Sequence, residues 1–139
     1  MDRFFVAYDK ACQEKGWSVK WFFSGGTKFE FYEGLDIEIC ESNSVENYFI
    51  EYQRKYEPKF NSIVTHFIEL CTPFFKKIKY SSNPYIIAVD HNPRPVGGFP
   101  LKKRLKNRIK ANLYSRYINK FVGVSEYTKL QILNDYGSK

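Results

Sequence analysis

From residue 62 onward, short apolar runs alternate with stretches of helical period, and that alternation leaves few folds open. Residues 62–67, 84–90 and 119–124 read as strands. The run at 84–90 (P-Y-I-I-A-V-D) is continuously apolar through its middle, as suits a strand covered on both faces. Between and after these runs lie three helical stretches. One opens at Thr72 as cap with Pro73 in the first turn and runs to about Tyr80. The next spans 100–117, where Leu101, Leu105, Ile109, Leu113 and Tyr117 recur every four residues. The last spans 126–136, capped by Ser125 and closed by Gly137. A strand that must rejoin its sheet after a helix does so by a right-handed crossover, which makes neighbouring strands parallel. The expected fold class is therefore α/β, a Rossmann-like, doubly wound, mostly parallel sheet with helices on both faces.

The first 60 residues carry the same alternation. Residues 2–14 form a helical stretch with Phe4, Phe5, Tyr8, Ala11 and Cys12 on one broad face, and Gly16 suits its left-handed C-terminal cap. Strands are expected at 17–23 and 36–40. Asn43, with Glu46 three residues on, marks the start of a helix bearing Val45, Tyr48, Phe49 and Tyr52 on one face, which Pro58 stops. A chain of 139 residues with 43% hydrophobic and 27% charged residues is expected to fold as one domain, 1–139, and is too apolar for disorder. Cys12, Cys40 and Cys71 show no C-x-x-C spacing and read as reduced thiols of a cytosolic protein. No signal peptide is visible, and no run approaches the roughly 18 apolar residues of a membrane span.

Charge divides the sequence. Residues 1–60 hold 8 Lys/Arg and 11 Asp/Glu, a balance of −3, whereas residues 61–139 hold 14 and 4, a balance of +10. Most of that excess sits between Leu101 and Lys120, where Lys102, Lys103, Arg104, Lys106, Arg108, Lys110, Arg116 and Lys120 occur without one acidic residue. A solvated face normally mixes signs. Bases interleaved with Leu105, Ile109 and Leu113 suit a helix lying on an anionic membrane, so Lys102, Lys103, Arg104, Lys106, Arg108 and Lys110 are expected to face lipid. A solubilising face on a core helix explains the same run. No nucleic-acid motif accompanies the charge, and nucleic acid is not an expected partner.

In an open parallel sheet, ligands bind beyond the carboxyl ends of the strands. That rule selects Ser24-Gly25-Gly26, Thr65-His66-Phe67, Asp90-His91-Asn92 and Ser125-Glu126, and it places the only two histidines on one rim. His91 opens a Pro/Gly loop (H-N-P-R-P-V-G-G-F at 91–99), which both holds and exposes its ring, as a general base or hydroxyl donor requires. His66, inside its strand, reads more readily as a core histidine. Glu69 and Asp90 lie near but lack zinc-ligand spacing, so no metal is expected. Gly97-Gly98 allows close backbone approach to a ligand, although neither Gly-Gly pair matches a phosphate-binding motif.

Four segments resemble one family. I-V-T-H at 63–66, Y-I-I-A-V-D-H-N-P at 85–93 and K-F-V-G-V-S-E-Y-T-K-L-Q-I-L-N-D-Y-G at 120–137 are similar to landmarks in the N-terminal domain of GT-B glycosyltransferases of the large retaining group, glycosyltransferase family 4. K-A-C-Q-E-K-G-W-S-V at 10–19 is similar to that domain's first helix leading into its second strand. The resemblance implies one half of a GT-B fold that binds a glycan or lipid-linked acceptor. On it, His91 is the catalytic histidine facing the transferred sugar, and Asn92, Arg94, Gly97, Gly98, Ser125, Glu126 and His66 line the acceptor side. The basic helix resembles the membrane-associating helix of members that act on lipid-linked acceptors. The family's first strand and its donor domain, with a Glu-x7-Glu motif, have no counterpart here. The expectation is an acceptor half without cofactor of its own, inactive alone, working with a separate donor domain on the cytoplasmic face of the plasma membrane. Two other readings stay open: a non-catalytic α/β module that binds anionic membrane, and a nucleotide-binding α/β domain of another family.

Overall fold

The computed structural model describes residues 2–25, 30–40, 44–92 and 94–137, and these separate into two compact units, 1–57 and 58–139. The fold is α/β, with two small parallel sheets and helices.

The first unit contains α1 (Asp2–Gln13), β1 (Trp21–Ser24), β2 (Ile37–Cys40) and α2 (Val45–Tyr56). β1 and β2 are parallel, with Trp21 opposite Ile37 and Ser24 opposite Cys40. β1 begins four residues later than the expected start at Trp17. The cause is the end of α1: Gly16 at φ +73° lets its own N–H donate to Gln13 O and the Trp17 N–H donate to Cys12 O. This Schellman pairing keeps Trp17 on the helix terminus instead of in the sheet. Ser44 caps α2, accepting from the Asn47 N–H at 3.3 Å. Asn43, the expected cap, and Gly26 lie outside the described residues. The core is aromatic: the Phe5 ring lies 5.0 Å from Trp21 and 5.3 Å from Phe23, and Phe23 lies 5.5 Å from Tyr32. The buried Asp9 is tolerated because the Trp21 indole N–H donates to it at 3.0 Å.

The second unit runs β3 (Ser62–His66), α3 (Pro73–Ser82), β4 (Tyr85–Asp90), α4 (Leu101–Tyr114), β5 (Lys120–Gly123) and α5 (Glu126–Tyr136). Its sheet has the order β3-β4-β5, all parallel, so the strands stand side by side in chain order. Val64 faces Ile87 and Val89 faces Val122 across the ladders. β4 is the central strand, and Ile86 and Ala88 are wholly buried, in keeping with its apolar sequence. Phe75 and Ile78 of α3, Ala111 of α4 and Ile132 of α5 complete the core. Asn119 extends the ladder at the start of β5: its N–H donates to Ile86 O, and its side-chain oxygen accepts from the Ile86 N–H at 2.9 Å.

Two features of this unit depart from what spacing predicts. The expected helix over 100–117 ends at Tyr114 and tightens into a 3-10 turn, Ser115–Tyr117. Its apolar stripe also faces outward. Leu101, Leu105, Ile109 and Leu113 are 79%, 63%, 54% and 53% exposed, while Asn107 and Ala111 face the interior. Among the described residues no helix is long and apolar enough to cross a membrane.

Candidate functional site

The parallel ladders bring three strand ends to one edge of the second unit. His66 closes β3, Asp90 closes β4 with His91 immediately after it, and Gly123 closes β5 ahead of Ser125. The Val124 N–H donates to Asp90 O, joining the last two. The two histidines meet there. His66 Nδ1 lies 2.8 Å from His91 Nε2, and Phe67 stacks on the His91 ring with centroids 4.1 Å apart. Phe67 adopts φ +60° to do so, a left-handed backbone that a bulky residue holds only when its surroundings impose it.

Burial, and then the neighbouring His91, pushes His66 down to about 4, and burial also lowers His91, with Asp90 opposing the shift. Both rings are therefore neutral at pH 7, and one proton lies between Nδ1 and Nε2. In a neutral pair joined in this way, fixing one tautomer fixes the other. Because the folded chain resists protonating His66, the unfolded chain binds more protons below pH 6.5. Stability from this group is complete above that pH and is lost as pH falls toward about 4. Urea unfolding at neutral pH and near the middle of this window is expected to show a loss that His66→Asn reduces. Equal slopes for the two chains would remove the assignment.

Beside the pair, the loop after β4 folds around a buried ionic cluster. Arg94 Nη2 donates to Asp90 Oδ2 at 2.6 Å, its Nε donates to Asp135 Oδ2 at 2.9 Å, and its Nη1 donates to Asn92 O. The Arg94 and two aspartate side chains are only 1–3% exposed. Burial works against the guanidinium, but the two carboxylates outweigh it and hold its pKa above the usual value. Asp90 Oδ1 accepts the Asn92 N–H at 2.9 Å, so Asp90 binds both ends of the turn. The loop is thereby tied to α5 through Asp135.

A pocket of about 330 Å³ opens against this cluster. Asp90, Asn92 and Arg94 line it from the strand end and loop, Lys103 and Asn107 from α4, and Phe99 and Tyr136 supply aromatic walls. Lys103 Nζ lies 3.5 Å from the centre of the Phe99 ring. Burial raises the Tyr136 hydroxyl pKa, so it remains a neutral donor.

The other expected site residues fall into distinct places. Gly97 and Gly98 have φ of +86° and +83° and form the turn in which the Gly98 N–H donates to Pro95 O. Ser125 is occupied as the cap of α5, accepting from the Thr128 N–H at 3.1 Å, and Glu126 is exposed beside Lys129. Of the six basic residues on α4, Lys102, Lys106 and Arg108 point to solvent. Arg104 is half-buried, Lys103 lines the pocket, and Lys110 donates to Glu69. Asp90 was expected at the rim as the end of its strand and as a carboxylate without metal spacing, whereas Asp135 carries no such signal. Asp90 four residues before Arg94 was a readable signal, but nothing in the sequence pairs either with Asp135. No family model, curated protein or solved structure matches the chain.

Proposed function

We propose that this chain is the acceptor-binding half of a sugar-nucleotide-dependent glycosyltransferase. The observation that supports it is the pocket at the carboxyl edge of the parallel sheet, lined by Asn92, Asn107, Phe99 and Tyr136, with His91 standing in the chain between the lining residues Asp90 and Asn92. A sugar ring has an apolar C–H face for an aromatic wall and hydroxyls for amide and carboxylate groups, so a neutral polyhydroxyl acceptor fits this lining. Arg94 with its two aspartates carries one negative charge, which Lys103 on the pocket wall offsets, and Lys110 is paired with Glu69, so the site favours a neutral ligand over a strongly charged one. In this reading Asn92, Arg94 and Asn107 bind the acceptor, and neutral His91, its tautomer coupled to that of His66, accepts a hydrogen bond from the attacking hydroxyl.

The reading carries finer expectations. The sheet belongs to a doubly wound half of a GT-B fold, and a donor domain holds the nucleotide-sugar. Catalysis rests on positioning and on stabilising the leaving diphosphate. The chain works in the cytoplasm on a glycan or lipid-linked acceptor, and residues 1–139 alone transfer no sugar.

NMR titration of the chain with neutral methyl glycosides tests the acceptor site. Amide and side-chain signals of Asn92, Phe99 and Asn107 are expected to shift together, and Asn107→Ala is expected to weaken binding roughly tenfold, the loss of about one buried hydrogen bond. Nucleotide-sugars are expected to bind weakly or not at all. Tight nucleotide-sugar binding at the rim, with no response to glycosides, would replace this reading with a nucleotide-binding domain.

A further inference from the structure

We infer that Phe67 is a stacking platform for a second sugar ring, so that the acceptor is an oligosaccharide with one residue in the pocket and the next lying across Phe67. This rests on the acceptor reading of the pocket and adds a subsite to it. Phe67 follows the last residue of β3, at the carboxyl edge of the sheet. Its ring is 49% exposed, although a phenyl group gains most from burial. The His91 ring covers one face, with centroids 4.1 Å and planes 25° apart, so the exposure falls on the opposite face and the edges. The result is a flat apolar surface the size of one six-membered ring. It is far too small for a protein interface, and it matches the C–H face of a single pyranose.

The backbone holds the ring in place. Phe67 has φ +60°, a left-handed conformation that a bulky residue rarely adopts, and Cys71 in the same connection has φ +55°. Leu70 and Cys71 are buried, and His66 is tied into the ladder opposite Val89. Residues 67–72 are thus pinned at both ends, and Phe67 stays outside the core between the pins. An outward aromatic ring kept on a strained, anchored backbone meets a ligand without first having to be ordered.

The same connection leads into the pocket. Glu69 and Leu70 line it, and Asp90 and Asn92 line it on either side of His91, the residue on which Phe67 stacks. Pocket and platform therefore share two short segments, 67–70 and 90–92. Phe67 lies against a face of the His91 imidazole, whereas Nδ1, the nitrogen not engaged by His66, lies in the ring plane. A second sugar on Phe67 thus leaves that nitrogen open to the attacking hydroxyl.

The test is NMR titration of the full chain with methyl α- and β-glucoside and with methyl α-maltoside and methyl β-cellobioside. The better disaccharide is expected to bind roughly tenfold more tightly than its monosaccharide, and only disaccharides move the Phe67 ring signals. Phe67→Ala is expected to remove that gain and leave monosaccharide affinity unchanged, whereas Phe67→Tyr, which keeps the ring, retains it. Circular dichroism checks that both variants are folded. Equal losses for mono- and disaccharides in Phe67→Ala would make Phe67 a shield for the histidine pair and overturn the subsite. Monosaccharides that bind at Asn92 and Asn107, with disaccharides no tighter and Phe67 silent, would overturn the subsite and leave the acceptor reading standing. A pocket that responds to no glycoside would remove that reading and the subsite with it. Phe67 signals moved by nucleotide-sugars and not by disaccharides would give the platform to the donor and overturn the assignment as well.

Discussion

Arg94→Met is expected to destabilise the second unit by about 3–5 kcal/mol, the cost of breaking a buried ion pair from one side. The substitution keeps most of the volume of the side chain and removes its charge. Asp90 and Asp135 would then face each other across a site that excludes water, with their side chains 2% and 1% exposed. Arg94→Lys is expected to recover little, because an ammonium cannot donate at once to two carboxylates and to Asn92 O with the spread of a guanidinium fork. Adding Asp90→Asn and Asp135→Asn to Arg94→Met is expected to restore part of the loss, since neutral amides do not repel. A merely space-filling arginine would give no recovery. Urea midpoints of the single and triple variants decide between the two.

Gly123→Ala is the second large expected effect, and it has a different origin. A Cβ at residue 123 would lie 2.5 Å from the Lys129 backbone nitrogen and 2.9 Å from its Cα. Neither atom belongs to a side chain that can swing away, so the first turn of α5 must lift off the end of β5. The cost is expected to reach or exceed the roughly 1–3 kcal/mol of an overpacked core. Asp135, on the same helix, holds Arg94, so lifting α5 also loosens the loop that borders the pocket. Gly97→Ala offers the contrast. Its φ of +86° is unfavourable for alanine, but nothing lies within 4 Å of the added carbon. It is expected to cost only the backbone strain, about 1 kcal/mol. Thermal unfolding of the two variants side by side should separate steric collision from dihedral preference. A Gly123→Ala chain as stable as the parent would refute the close-approach account.

The strands of the second unit were readable because each is a short apolar run set off by strong punctuation: Pro58 and Asn61 before β3, Asn83 and Pro84 before β4, Asn119 before β5. The Gly97-Gly98 turn and the Ser125 cap were readable for the same local reason. What the sequence could not reveal depends on which elements touch. Both histidines were visible at strand ends, but their 2.8 Å contact follows from β3 lying next to β4 with His66 opposite Val89. Likewise, the four-residue spacing in α4 defines a stripe without saying whether it turns inward. The core side of that helix is supplied by Asn107 and Ala111, residues that no hydrophobic pattern would select. Gly123 has no turn around it and reads as an ordinary strand position. Only the passage of α5 over it makes the hydrogen side chain obligatory.

The order of the three strands has a consequence for how the chain is made. Ser62 pairs with Tyr85, and Ile87 with Lys120, so each strand docks on the one synthesised just before it, and none waits for a distant segment. A ribosome releasing this polypeptide from its N-terminus would let the sheet grow by accretion, one edge at a time, with only modest loop closures at each step. The growing edge stays exposed only until the next helix and strand emerge, which shortens the interval in which a nascent neighbour can pair with it wrongly.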